Sequence, residues 1–171
     1  MAVFDDNSIR EEWPIFELFR SGPVALFHKP PILQEMVTYF EERGYIVHDF
    51  ACSAYVEKSD VLREVGARLD FPFEVSNLDG FNDFLGDVKV PIESGLVLVF
   101  TNFDSFHGLH PHYAQQILEI IADQSRNNLL CGRRFIALVQ SNDPSIKLEP
   151  IGARSTQWNR KEWLDKDRLA L

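Results

Sequence analysis

The chain has 171 residues, enough for one domain with short appendages, and 45% of them are hydrophobic, which is ample for a core. A formal net charge of −9 and a pI near 5.0 disfavour nucleic acid and anionic membrane surfaces as direct partners and favour basic ones. The two cysteines, Cys52 and Cys131, are too few for a disulfide framework; each sits in or beside an apolar run and reads as a buried free thiol.

Residues 1–21 read as an N-terminal extension in which Trp13, Phe16, Leu18 and Phe19 suggest a short capping helix. The acidic start lacks the basic and apolar regions of a signal peptide, and no run of about 18 apolar residues exists, so a cytoplasmic protein is expected. A main domain spans 22–140. It opens with a buried strand, Pro23–Phe27. Pro30-Pro31 then starts a helix with Ile32, Leu33, Met36, Val37 and Phe40 on one face, stopped at Gly44. Tyr45–Cys52 is the second strand. Ser59 is the expected N-cap of a helix carrying Val61, Leu62, Val65 and Leu69.

After Pro72 comes an acidic helix from about Asn77 to Asp87, with Leu78, Phe81, Phe84 and Leu85 at helical spacing on one face. Asp79, Asp83 and Asp87 fall at i, i+4 and i+8 and form a column on another face. Like charges at that spacing repel, and only Asp79, in the first turn, is favoured by the helix dipole. Carboxylates kept against local stability point to a cationic partner. Gly95 then precedes Leu96–Phe100, apolar on both faces as in a central parallel strand. Pro111 starts the longest helix, with Tyr113, Ile117, Ile120 and Ile121 inward, ending before Gly132. Arg134–Val139 is the last clear strand. Strands alternating with helices predict an α/β fold: a small, mostly parallel sheet of three or four strands in a two- or three-layer arrangement. Residues 141–171 read as a C-terminal arm. Residues 150–171 hold five Lys/Arg against three Asp/Glu, and Trp158 and Trp163 are expected to pack the arm on the domain.

No Gly-rich phosphate loop, G-x-S-x-G elbow or Cys-x-x-Cys pair occurs. Asp104, His107, His110 and His112 carry zinc-ligand chemistry but spread over a loop and a helix start, so they read as a solvated His-rich loop rather than a metal site. Cys52 and His48 share a strand face without an orienting third group. Asp79 and Asp83 on an exposed helix lack the cleft that would split their pKa values for glycoside chemistry. No catalytic residue, cofactor or metal is assigned.

The stretch Leu69-Asp70-Phe71-Pro72-Phe73-Glu74-Val75-Ser76-Asn77-Leu78-Asp79-Gly80-Phe81-Asn82-Asp83-Phe84-Leu85 resembles the signature of the barstar family, small intracellular inhibitors of secreted bacterial ribonucleases such as barnase. The order of strands and helices over residues 45–140 is similar too. The resemblance implies a barstar-like α/β fold and an inhibitor, or immunity protein, that binds a basic ribonuclease or related toxin. Asn77, Asp79 and Asp83 match the motif directly, and the residue corresponding to Asp83 mimics a substrate phosphate. Asp123 falls where the family often has a contacting Glu. Phe73 or Glu74 stands in place of a contacting tyrosine, and Asn82 where an aromatic is common. The loop before Asn77 is one residue short and has Val75-Ser76 where the family has a glycine. Two other readings are an interaction module with a non-nuclease partner, motivated by this loop and the added segments, and a metal enzyme using His107, His110 and His112.

Overall fold

The computed structural model describes residues 3–169, so the first two residues of the predicted extension and the last two of the predicted arm lie outside the described residues. The elements run α1 (Asp6–Glu11), α2 (Trp13–Ser21), β1 (Val24–Phe27), α3 (Pro30–Glu41) and β2 (Ile46–Ala51). There follow a 3-10 turn (Cys52–Ala54), α4 (Lys58–Arg68), α5 (Leu78–Asp87), β3 (Leu96–Thr101), α6 (Phe103–Leu109) and α7 (Pro111–Leu130). β4 (Phe135–Gln140), β5 (Gln157–Trp158) and α8 (Lys166–Leu169) complete the chain.

The sheet is parallel, in the order β2-β3-β4-β1-β5. Side chains alternate across it with period two. Leu96, Leu98, Phe100, Phe135, Ala137 and Val139 face one core, while Val97, Val99, Ile136 and Leu138 face the other. Both faces are covered by apolar side chains, which is why β3 and β4 are apolar on both faces. The connections from β2 to β3 and from β3 to β4 step one way along the sheet, and α4, α5, α6 and α7 lie together on one side. The step from β1 back to β2 runs the opposite way. A crossover of the same hand then puts α3 on the other side, where Leu33, Val37 and Phe40 pack with Ile15, Leu18 and Phe19 of α2. The architecture is therefore three-layered. Gly95 is required by a close approach: a Cβ there would come within 2.6 Å of the Arg134 carbonyl oxygen.

Four sequence expectations are corrected. The sheet has five strands, because the arm adds β5 to the free edge of β1, with Gln157 and Trp158 opposite Ala25 and Leu26; two residues are too few to leave a periodic signal. The first part of the His-rich segment, with Asp104 and His107, is not a loop but the helix α6, held by buried Phe103 and Phe106 three apart and entered through Asn102 in the left-handed region, φ 52°; His110 links it to α7, whose first turn holds His112 as expected. The cap of α4 is not Ser59. The helix starts at Lys58, and the Asp60 carboxylate reaches back to accept the Glu57 and Val56 N–H groups at 2.8 and 2.9 Å; those bonds hold its carboxyl below the usual aspartate range. Cys52 is buried, but Cys131 is exposed, because it lies just past the last turn of α7 where the chain leaves the core.

Candidate functional site

α5 is a poor helix by its own composition. Its ten residues include Gly80, Gly86 and three aspartates. It is held by tertiary contacts instead. Phe81 and Leu85 are almost fully buried, Leu78 and Phe84 are partly so, and the rings of Phe71 and Phe73 flank Phe84. The Asn77 side chain caps the N-terminus, its Oδ1 accepting the Gly80 N–H at 2.8 Å. One side chain of α7 fixes the helix laterally: Gln124 donates through Nε2 to Asn82 Oδ1 at 2.9 Å and is itself 92% buried, being 8% exposed.

This framework leaves one face of α5 in solvent. Asp79, Asp83 and Asp87 are all exposed, and among the described residues none has an ion-pair partner. In the loop before the helix Phe73 is 73% exposed, its ring set against that of Phe84 of α5. At its N-terminal end α5 meets the N-termini of α4 and α7 around a notch of about 530 Å³, bordered by Glu57, Lys58, Ser76, Asn77, Asp79 and Tyr113. Two of these are carboxylates, and the one lysine lies over the Tyr113 ring at 5.5 Å.

The expected site residues thus fall into three groups. Phe73, Glu74, Asp79 and Asp83 are exposed on the α5 surface and the loop before it. Asn77 and Asn82 have their side-chain oxygens committed to the cap and to Gln124, so their first role is to shape and hold the helix. Asp123 is exposed on α7 next to Gln124 and pairs with Arg126 at 3.4 Å. Two features were not read from the sequence. Gln124 was detectable as a polar residue continuing the inward series Ile117, Ile121 on α7. The notch was not, since Glu57 and Tyr113 approach Asp79 only through the packing of three helices.

The alternative chemistries are dispersed. His110 Nε2 lies 2.8 Å from the Val56 carbonyl oxygen, Asp104 Oδ1 accepts the Asn142 N–H, and His107 stacks near Phe103. Among the described residues no three His, Cys, Asp or Glu side chains converge as a metal ion would require. Burial pushes the Cys52 thiol far up, which removes the thiolate a nucleophile needs. No described helix is long and apolar enough to cross a membrane.

Searches of curated proteins and of solved structures returned no match. The model of one protein family, described as Barstar (barnase inhibitor), matches residues 45–140, more than half of the chain, including β2, the whole of α5 and all of β3, α7 and β4. Matched by that model over more than half of its length, the chain belongs to the Barstar family.

Proposed function

We propose that this protein is an inhibitor that binds a basic ribonuclease or related toxin and covers its active site with α5. The observation that carries the reading is the row of exposed, unpaired carboxylates Asp79 and Asp83 on a helix held by its neighbours rather than by its own propensity. A ribonuclease active site is cationic because it binds phosphates. Carboxylates on a rigid helix fill such subsites without offering a bond to cleave. Opposite fields on the two proteins speed their encounter and make it sensitive to salt. Phe73, exposed and set against Phe84 of the same helix, adds an apolar anchor.

The test is titration of a basic secreted ribonuclease with the full chain, following both RNA cleavage and complex formation. Inhibition should weaken as salt rises from about 0.05 to 0.5 M. Asp83→Ala should weaken binding by roughly tenfold or more while thermal stability stays the same or rises by a few tenths of a kcal/mol, about what relief of like-charge repulsion supplies. Unchanged binding in Asp83→Ala would remove the reading at its centre. A complex that forms without inhibiting cleavage would favour the interaction module with a non-nuclease partner, to which the missing tyrosine hydroxyl at Phe73 and Glu74 also lends weight.

A further inference from the structure

On the face of the sheet opposite α5, helices α2 and α3 leave a furrow between them. Its volume is about 520 Å³, and its walls are Trp13, Leu18, Phe27, Ile32, Met36 and Tyr39. All of these lie outside residues 45–140, so nothing in the family match accounts for the furrow. We propose that it is a binding site for a compact, uncharged apolar molecule.

Three observations select that chemistry. The first is size. The volume, about 520 Å³, falls within the range of about 300–1,000 Å³ typical of small-molecule sites. The second is charge. Four ionised side chains stand at the rim, and they pair off: Arg160 with Glu17 at 2.9 Å and Lys161 with Glu35 at 2.5 Å. No charge is left over to meet a ligand head group, and an ion carried into this lining would lose its hydration without compensation. The third is the lining itself. Trp13 remains 43% exposed although it borders a largely apolar cavity, and Met36 supplies a flexible thioether that adapts to an irregular ring system.

The same ion pairs help to hold the arm over the furrow. Arg160 holds α2 and Lys161 holds α3, so the C-terminal arm crosses the furrow as a strap fastened at both sides. Asn159 and Glu162, on either side of these two residues, are buried and hydrogen-bonded to Leu26, His28 and Lys29, so the arm is a fixed wall of the furrow.

N-phenyl-1-naphthylamine, which is uncharged, and its sulfonated anionic relative 1-anilinonaphthalene-8-sulfonate serve as probes of the full-length chain, read by the rise in probe fluorescence. The uncharged probe should bind saturably, one per chain, and raise the melting temperature. The anionic probe should bind at least about tenfold more weakly, for lack of a free cation in the furrow. Met36→Trp, which fills the furrow, should abolish binding without lowering the melting temperature. Trp13→Ala, at a half-exposed position that does not decide folding, should weaken it about tenfold. Absence of saturable binding, equal or tighter binding of the anionic probe, or wild-type binding in both folded variants would each overturn the proposal.

Discussion

Asn77 shows how a residue proposed to meet a partner can act first on the backbone. Its Oδ1 is spent on the Gly80 N–H, one of the amides that a helix start leaves without a partner. Asn77→Ala should therefore cost about 1 kcal/mol of stability, whether or not a partner is present. Gly80 lies three residues on, and a Cβ there would meet only the Asn77 oxygen at 3.4 Å and Val75 Cγ1 at 3.6 Å, ordinary contact distances. Gly80→Ala should stabilise the protein by about 0.5–1 kcal/mol through helix propensity. Paired urea melts of the two variants should move in opposite directions. A loss in both would mean that the close fit around the first turn outweighs propensity. The carboxylates were legible in the sequence because their spacing contradicts what a helix prefers. The cap was legible as a residue type but not as a commitment, since only geometry shows which donor its oxygen meets.

For the element, what matters is that α5 keeps its place through α7. Gln124 is buried, and its amide is directed at the backbone carbonyl and side chain of Asn82, at 3.3 and 2.9 Å. Gln124→Ala should cost about 1–2 kcal/mol, because it strands the Asn82 amide oxygen at a half-buried interface. Amide exchange within α5 should rise more than in β3 or β4. Exchange rising evenly across the protein would show instead that α5 and the sheet open together. The helices themselves followed from hydrophobic spacing wherever they were long. α6 did not, because seven residues with a glycine in the last turn carry too few periodic positions to tell a helix from a loop. β5 did not either, because its pairing with β1 depends on where residues 141–156 bring the chain.

At the scale of the whole molecule, two half-buried histidines set the response to pH and one buried glutamate the response to loss of the arm. Burial holds the imidazoles of His48 and His107 below the ordinary value of 6.5, with the Arg68 charge adding to the effect at His48. The unfolded chain thus binds these protons at a higher pH than the folded one. Stability should fall as pH drops through about 6.5 toward the lowered folded values, and level off beneath them. Replacing both histidines with Gln should flatten chemical-denaturation midpoints across that window; an unchanged slope would assign it to other groups. The arm is tied down by Glu162, fully buried, whose carboxylate accepts the His28 and Lys29 N–H groups at 2.8 and 2.7 Å and the Asn159 amide. Glu162→Ala leaves those donors unsatisfied and should cost about 2–3 kcal/mol. A loss below about 0.5 kcal/mol would show that the arm contributes little to the folded state.

The sequence by itself determined the α/β class, the two apolar central strands, the amphipathic acidic helix and its column of carboxylates. Each of these is written in local periodicity, and period-two and period-3.6 burial need no distant partner to be read. The tertiary structure alone decided that the sheet has a fifth strand, that Asn82 answers to Gln124, that Glu57 and Tyr113 join Asp79 around a notch, and that α2, α3 and the arm enclose a furrow. Those features arise between residues tens to more than a hundred positions apart. Packing brings them together, and no pattern along the chain encodes it.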